Sequence, residues 1–285
     1  MQFGKEASPS HSQLEPFLFG KLISVVLLAT TVVANAEAQV QDTISRKTPL
    51  LTGKDALLLG AFVLGTAAVA PIDRQVAKRL QDPGAQESPF LKKAATSFRV
   101  LAVPGSLMAG VGLYALGRAD GQRRVQALGL HSVESILLAD ILGGAIKGAA
   151  GRARPYIDID NPYNFQLFRG LSDDKYRSFP SGHTINAFAF ASTVTRETQF
   201  WWPRSAWYVG TVMYGGASLM GLSRIYNNQH WASDVMGGAA IGTLIGVKVV
   251  KYTHSHPGNH IDHALIKGSR KSQVATIPLA FSFQF

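Results

Sequence analysis

Six apolar stretches, separated by polar segments, fill the chain between residues 56 and 250. None of them alternates strictly between apolar and polar positions, as a half-buried strand would, and each is long enough to form a helix. The pattern therefore predicts an all-α bundle of about six helices. The stretches are Ala56–Ala70, Phe98–Gly117, Ala127–Ala150, Thr184–Thr195, Ala206–Leu222 and Val235–Val250.

The lengths and composition of these stretches bear on whether the bundle lies in a membrane. A bilayer core needs roughly 20 helical residues, and only the second and third stretches reach that length comfortably. The third contains Glu134 and Asp140, which are costly if they face lipid. Charged residues are only 16% of the chain, against roughly 25% in an ordinary soluble domain. We therefore expect a membrane-embedded bundle, with a soluble helical bundle as the alternative.

The two ends of the chain differ from its apolar centre. Residues 1–38 are typical of a signal peptide or an N-terminal anchor, because lysines precede an apolar run that ends in small residues suited to cleavage. Residues 39–54 are polar and predicted to be a linker, so the helical-bundle domain is expected at 55–251. Residues 252–285 form a C-terminal tail whose last residues alternate as in a short strand.

The tail is rich in histidine, which raises the question of a metal site. It contains His254, His256, His260 and His263. Beyond Asp262, no neighbouring acidic or thiol cluster completes a coordination sphere. We therefore expect a solvated histidine-rich segment.

Charge and cysteine content limit the classes of function. The net charge is +10, and a basic balance suits nucleic acid, anionic lipid or phosphorylated substrates. Because the basic residues are scattered between apolar stretches, lipid surfaces and phosphate groups are favoured over nucleic acid. The chain has no cysteine, which excludes disulfides, thiolate catalysis and cysteine-ligated metals.

Two polar blocks flank the long segment between the third and fourth apolar stretches. In the first, Lys147 and Arg154 place two cations near a helix end. In the second, Ser181 is a predicted N-cap followed by Gly182 and His183. Free N–H groups at a helix N-terminus bind anions. Each block alone also fits an ordinary helix end.

A third block, SRIYNNQHWASD, joins the last two stretches. His230 and Asp234 are four residues apart, so they lie on one face of a helix. The carboxylate can accept the Nδ1–H of the imidazole, which leaves Nε2 as a nucleophile or a base. Arg224 adds a cation. A buried histidine satisfied by a carboxylate is the simpler explanation of the pair alone.

Together the three blocks point to phosphoryl transfer. Antiparallel helices would bring the ends of the third and fifth stretches and the starts of the fourth and sixth to one face. Cations and N–H groups there would neutralise phosphoryl oxygens, while one histidine attacks and another protonates the leaving oxygen.

The order and spacing of these residues resemble the three-part signature of the type 2 phosphatidic acid phosphatase superfamily. That superfamily includes lipid phosphatases, bacterial non-specific acid phosphatases and vanadium haloperoxidases. The resemblance covers roughly residues 98–250. Its motifs here are Lys147-x6-Arg154-Pro155, Pro180-Ser181-Gly182-His183 and Ser223-Arg224-x5-His230-x3-Asp234.

The resemblance also implies a role for each motif residue. His230 would form a phosphohistidine, Asp234 would orient it, and His183 would protonate the leaving group and then activate water. No metal or other cofactor is implied, and the position of Arg152 relative to the phosphate is open. The residues implied to bind phosphate are Lys147, Arg154, Ser181, Gly182 and Arg224.

The sequence therefore predicts a metal-independent phosphatase acting on a phospholipid or an isoprenyl phosphate or pyrophosphate. The alternatives are a soluble periplasmic acid phosphatase, a vanadium-dependent haloperoxidase and a non-catalytic membrane protein. The expected partners are the phosphorylated substrate and membrane lipids, without nucleic acid. The polar segment Tyr156–Phe179 is predicted to cover the site.

The expected location is the inner membrane of a bacterial cell envelope, with the site facing the periplasm. If the N-terminal segment is cleaved, this orientation requires that Ala56–Ala70 does not span the membrane, and that stretch is short for a span. The loop 72–97 is basic, however, and the positive-inside rule would place it in the cytoplasm. The two indications conflict.

Overall fold

The computed structural model describes residues 52–267. In this part of the chain the regular structure is helical, and the only β-type pairing is a single bridge between Arg152 and Phe165. The prediction of an all-α bundle is confirmed. The predicted signal segment, most of the linker and the strand-like end of the tail lie outside the described residues.

Ten α-helices, joined by short helical turns, make up this part of the chain. The helices are α1 Gly53–Val69, α2 Asp73–Leu80, α3 Pro83–Glu87, α4 Pro89–Val100, α5 Ser106–Ala119, α6 Arg123–Ala150, α7 Gly182–Trp201, α8 Ala206–Tyr226, α9 Ala232–Ser255 and α10 His260–Asp262. The 3-10 turns are Ala70–Ile72, Arg169–Leu171, Asp174–Tyr176 and Pro203–Ser205. The π-helical turns are Leu101–Gly105 and His263–Lys267.

The basic segment expected as a loop, 72–97, is largely helical. Helices α3 and α4 both begin at a proline, where the missing N–H costs nothing. Each is preceded by a side-chain cap: Asp82 accepts from the N–H of Gly84, and Ser88 accepts from the N–H of Leu91. These caps could have been found in the sequence.

The second predicted helix is interrupted. Helix α4 ends at Val100 and α5 begins at Ser106, and Val103 between them has an extended backbone with φ −146° and ψ 118°. Pro104 explains the break, because proline lacks an N–H and pushes the preceding residue out of the helical region.

Helix α7 is the centre of the bundle and packs on α6, α8 and α9. Its contact with α9 depends on two glycines. A Cβ on Gly242 would lie 2.4 Å from the carbonyl oxygen of Ile185, and one on Gly246 would lie 2.0 Å from Ser192 Oγ. The two backbones therefore approach more closely than any larger residue would allow.

Helix α1 runs along the bundle towards the end at which α9 begins. Near its start, Asp55 forms an ion pair with Lys248, which lies far along α9. Just beyond its end, Asp73 forms an ion pair with Arg152, with 2.9 Å between Oδ2 and Nη2. The first apolar stretch thus lies in a helix that extends along much of the bundle and is longer than the 15 residues expected from the sequence.

Four helical segments of the described chain are long and apolar enough to cross a membrane, where the sequence analysis found only two of comfortable length. Large apolar side chains also point outward, including Leu57, Leu64, Ile141 and Val212, each between 71% and 75% exposed. An outer surface of this kind is suited to lipid. The four segments are Asp55–Leu80, Pro89–Ala119, Arg123–Ala150 and Ala232–Ser255.

Candidate active site

The three sequence motifs meet at one end of the bundle, as the antiparallel arrangement predicts. The N–H of Ser181 donates to the carbonyl oxygen of Asp234 at 3.0 Å, which joins the second motif to the third. Lys147 Nζ lies 3.5 Å from the position that a Cβ would take on Gly182, which joins the first motif to the second. The ends of α6 and α8 and the starts of α7 and α9 therefore build a single site.

His230 is buried in the short connection between α8 and α9. Its Nδ1 lies 2.7 Å from the backbone oxygen of Ser178, whereas Asp234 Oδ2 is 3.7 Å away. The spacing predicted the carboxylate as the hydrogen-bond acceptor, but the carbonyl of Ser178 takes that role. Because a carbonyl only accepts, Nδ1 carries the proton and Nε2 is left as the free nitrogen.

Asp234 is unavailable to the imidazole because other donors occupy it. One oxygen, Oδ2, accepts from the N–H of Trp231 at 2.8 Å and from the hydroxyl of Ser178 at 2.5 Å. The other, Oδ1, accepts from Arg152 Nη1 at 2.6 Å. The carboxylate therefore holds Trp231, the residue after His230, and Ser178, whose backbone oxygen accepts from the ring, and it acts on the ring itself through its charge.

The environment of His230 keeps its ring neutral. Burial lowers the pKa of this histidine to about 4, and the positive charges of Lys147 and Arg154 act in the same direction, while Asp234 opposes them. An imidazole with a pKa this low is unprotonated throughout the neutral pH range. Nε2 is thus available as a nucleophile without a separate base.

In the described part of the chain, Arg152 is paired with protein carboxylates, unlike the cations implied to bind phosphate, such as Lys147 and Arg224. It is buried between two carboxylates, with Nη2 2.9 Å from Asp73 Oδ2 and Nη1 2.6 Å from Asp234 Oδ1. Ser233 completes the group, since its N–H donates to Asp73 Oδ1 at 2.8 Å. We call Asp73, Arg152, Ser233 and Asp234 the buried charge network.

Sequence reasoning missed Asp73, Ser178 and Ser233. Asp73 is distant in sequence from Arg152 and Ser233, and its only local signal is its place at the start of a helix, where acidic residues are common. Ser178 acts partly through its backbone oxygen, which no residue type reveals.

Arg224 presents donors that protein groups do not satisfy. Its Nε and Nη1 are buried and have no hydrogen-bond partner among the described residues. Leaving such donors unpaired costs roughly 1–3 kcal/mol each, and an anion would satisfy them. The feature fits the predicted role of Arg224 in binding phosphate.

The N-terminus of α7 is also open to an anion. Ser181 occupies the predicted N-cap position, but its side chain makes no capping bond and instead accepts from Thr184 Oγ1 at 2.9 Å. The first N–H groups of the helix are therefore not satisfied by that side chain. His183 follows in the first turn, half-buried and within the field of Arg224 and Lys147.

Arg154 is held at the rim of the site. Its Nη1 donates to Gln229 Oε1 at 2.7 Å, and its Nε donates to the backbone oxygen of Asp174 at 3.1 Å. Gln229 precedes His230 directly, and Asp174 belongs to the segment Tyr156–Phe179, which is predicted to cover the site. Arg154 therefore connects the covering segment to the proposed nucleophile.

The covering segment, Tyr156–Phe179, folds over the end of α6 through a tight turn. Gly151 has φ +58°, and a Cβ there would lie 1.7 Å from the backbone oxygen of Gln166, so only glycine fits. The segment is less polar on its surface than its sequence indicates. We call the exposed apolar side chains in the middle of the segment, at residues 163–171, the apolar rim: Tyr163, Phe165, Leu167, Phe168 and Leu171.

Residues 128–256 match the model of the PAP2 superfamily. The match includes all three motifs and confirms the resemblance that they carry. The superfamily fold is confirmed by a solved structure as well. A transmembrane PAP2 type phosphatidylglycerolphosphate phosphatase from Bacillus subtilis aligns with a TM-score of 0.51 at 21% identity, covering 73% of this chain and 99% of that one.

Two relatives illustrate the functions found among similar sequences. A lipid A 1-phosphatase from Porphyromonas gingivalis is 41% identical over 111 residues, which is 39% of this chain and 22% of the relative. An undecaprenyl-diphosphatase from Sulfolobus acidocaldarius is 27% identical over 143 residues, 50% of this chain and 64% of the relative. The chain thus spans less than two thirds of the length of either relative.

The different roles of the two buried arginines can be separated by substitution. Arg224→Lys should weaken binding of vanadate, a phosphate mimic, by about tenfold or more, because charge-assisted hydrogen bonds contribute roughly 1.5–3 kcal/mol. Arg152→Lys should lower the melting temperature but change vanadate affinity by less than about threefold, since a lysine cannot pair with two carboxylates as a guanidinium does. Titration calorimetry in detergent measures the vanadate affinity, and thermal unfolding in the same detergent measures the melting temperature.

Arg169→Lys, in the exposed covering segment, is the matched control and should change neither quantity. If Arg152→Lys weakens vanadate binding as much as Arg224→Lys does, Arg152 is a phosphate ligand and the assignment of the buried charge network is wrong.

Proposed function

We propose that this chain is a phosphatase that hydrolyses the phosphate ester of a membrane lipid through a phosphohistidine at His230, without a metal ion in the catalytic step. The observation that carries the proposal is the convergence of the three motifs around the unsatisfied donors of Arg224. A neutral, buried imidazole next to a group of cations is suited to attack on a phosphoryl group.

In the first step, Nε2 of His230 attacks phosphorus in line with the leaving oxygen. A phosphorus–nitrogen bond forms and the phosphorus–oxygen bond to the substrate breaks. Burial and the neighbouring cations lower the pKa of His183 to about 3, so it takes up a proton from solvent only when the negative phosphoryl group binds and offsets those charges. His183 then donates this proton to the departing oxygen, which leaves as an alcohol. Lys147 and Arg224, with the N–H groups at the start of α7, neutralise the phosphoryl oxygens.

In the second step, His183 accepts a proton from water, whose oxygen attacks the same phosphorus. The phosphorus–nitrogen bond breaks, inorganic phosphate leaves, and His230 returns to its neutral form with Nδ1–H still bonded to Ser178. The two steps use His183 first as an acid and then as a base.

A lipid substrate is supported by the surroundings of the site. The apolar rim lies directly after α6, one of the membrane-competent segments, and Leu167 and Phe168 are 75% and 63% exposed. Exposed apolar side chains at the end of a membrane helix suit contact with acyl chains. Both named relatives are phosphatases of lipid-linked phosphates, in agreement with this choice. A soluble acid phosphatase is disfavoured by the outward-facing apolar surface.

We also propose that the site faces the periplasm from the inner membrane. Helix α1 belongs to a segment long and apolar enough to span and ends on the side of the site. If α1 spans, this orientation places the residues before it in the cytoplasm and excludes the cleavage of an exported signal segment.

The basic segment after α1 is close to the site, and the positive-inside rule would place this segment, and the site with it, on the cytoplasmic side. Its charges are partly paired, however, because Arg74 and Lys78 both form ion pairs with Asp160 of the covering segment, at 2.7 and 2.6 Å. Because Asp160 neutralises part of their charge, Arg74 and Lys78 are weaker determinants of the membrane orientation than unpaired basic residues would be.

The substrate class can be tested with a phosphate-release panel on the full chain in detergent. The double substitution Leu167→Ser and Phe168→Asn should raise KM for a phosphorylated lipid in mixed micelles by about 10²-fold or more, since burying each side chain contributes roughly 1.5–3 kcal/mol and about 1.4 kcal/mol is a factor of ten. It should leave kcat/KM for nitrophenyl phosphate unchanged. Asparagine suits position 168, whose φ is +64°.

His230→Ala is the blank for this panel and vanadate is the inhibitor. Turnover of soluble esters alone would favour the acid phosphatase alternative. An equal loss on lipid and soluble esters would show that the rim supports the fold and does not contact the substrate.

The role of His183 predicts a dependence on the leaving group. His183→Ala should reduce kcat/KM for an alkyl phosphate by about 10²–10⁴-fold, and by much less for nitrophenyl phosphate, whose leaving group needs no proton. Since kcat/KM reports the first chemical step, slow hydrolysis of the intermediate does not obscure the comparison. His260→Ala, far from the site, serves as the control. Equal losses on both esters would remove His183 from the role of acid.

A further inference from the structure

A second cluster of titratable side chains lies at the opposite end of the bundle. His131 is in the first third of α6, Glu197 is near the end of α7, and His254 is in the last turn of α9. Along α6, His131 is separated from Lys147 by a rise of about 24 Å. The proposed phosphatase mechanism uses none of these three residues.

The three side chains converge on one point. His131 Nδ1 lies 2.5 Å from Glu197 Oε1, and His254 Nε2 lies 3.2 Å from the same oxygen. Glu197 is completely buried and His131 is 3% exposed. Two imidazole nitrogens and one carboxylate oxygen, all within 4.8 Å of one another, are a common ligand set for zinc.

The atoms that do not face the common point have their own partners. His131 Nε2 lies 3.2 Å from Asp262 Oδ1, and Asp262 is held in turn by Asn259 Nδ2 at 2.9 Å. The second oxygen of Glu197 accepts from Trp201 Nε1 at 2.7 Å and lies 3.0 Å from His254 Nε2 as well, so both carboxylate oxygens are within reach of His254. Metal-bound histidines typically donate their other N–H to a carboxylate, which fixes the ring and its tautomer.

The charge around the cluster also favours a cation. Three carboxylates, those of Glu134, Glu197 and Asp262, lie around His131. One oxygen of Glu134 is buried and has no hydrogen-bond partner in the described part of the chain. Buried carboxylates in excess of imidazolium charge are costly unless a further cation neutralises them.

We propose that His131 Nδ1, Glu197 and His254 Nε2 bind one divalent transition-metal ion, with zinc the best match, and that Asp262 orients His131 from outside the coordination sphere. Zinc bonds of about 2.0–2.2 Å in tetrahedral geometry place ligand atoms about 3.3 Å apart. The separation of His131 Nδ1 from Glu197 Oε1, 2.5 Å, must lengthen by about 0.8 Å to reach this spacing, whereas that of His254 Nε2 from the same oxygen, 3.2 Å, is already close to it. Binding releases the proton between His131 and Glu197.

The ion would act on stability and would leave the phosphoryl chemistry unchanged. It would tie together the ends of α6, α7 and α9, and through Asp262 the short helix α10. Because the metal site is at the opposite end of the bundle from His230, zinc binding and phosphatase activity can be tested independently, and one can be disproved without the other. Three protein ligands leave a fourth coordination position for water. Of the four tail histidines expected to be solvated, only His254 would be a metal ligand.

The test uses the full chain, purified with an affinity tag that contains no histidine. After dialysis against a chelator, the protein is titrated with zinc sulfate and its metal content is measured by mass spectrometry. We expect one zinc per chain with a dissociation constant in the micromolar range or below, and a rise in melting temperature of about 5 °C or more. Vanadate affinity should be the same with and without zinc.

Substitutions identify the ligands. His254→Asn should abolish stoichiometric zinc binding and the zinc-dependent rise in melting temperature. His256→Asn, two residues further and exposed, is the matched control and should bind zinc like the wild type. Asp262→Asn should keep one zinc per chain but weaken its binding by about 10–100-fold.

Because His254→Asn could destabilise the fold by itself, the wild-type titration decides independently of the variants. If wild-type protein binds no more zinc than His254→Asn and its melting temperature does not respond to zinc, the cluster is only a hydrogen-bonded network and the proposal is overturned. Retention of wild-type zinc affinity by a folded His254→Asn variant would overturn it as well.

Discussion

The ion pairs of Arg152 with Asp73 and Asp234 are the interaction on which the rest of the site depends. A guanidinium and two carboxylates taken out of water are stable only when each satisfies the others. Here the pairing fixes Asp234, which in turn holds the hydroxyl of Ser178 and the N–H of Trp231. One buried network thus positions Trp231, which follows the proposed nucleophile, and Ser178, whose backbone oxygen accepts from its ring. Arg224 Nε and Nη1, in contrast, have no hydrogen-bond partner among the described residues.

The sequence could predict the helices and the motifs because both are local patterns. Apolar stretches of helical length indicate the bundle, and the spacing of Lys147, His183 and His230 along three helix ends indicates a shared face. The same reasoning could not predict the partner of Asp73, because that contact joins residues far apart in the chain. It also assigned the Nδ1–H of His230 to Asp234, since helical spacing does not show that other donors already occupy the carboxylate.

The two ends of the bundle have opposite electrostatic characters. One end gathers Lys147 and Arg224, whose Nε and Nη1 have no partner among the described residues, near the N-terminus of α7, which suits an anionic phosphoryl group entering from a membrane surface. The other gathers carboxylates around His131 and His254, which suits a cation. The close packing of α7 on α9, set by Gly242 and Gly246, connects the ends rigidly. On the proposed account, metal binding at one end would stabilise the bundle without any change in the phosphoryl chemistry at the other.

The central claim is that His230 carries the phosphoryl group, and trapping the intermediate tests it most directly. The chain is mixed with nitrophenyl phosphate, quenched in alkali, in which phosphohistidine survives, and digested for peptide mass mapping. The account predicts a phosphoryl group on the peptide that contains His230, none in His230→Ala, and a larger phosphorylated fraction in His183→Ala, which lacks the base for the second step. Turnover with no phosphorylation of His230, or phosphorylation of another residue in its place, would contradict it.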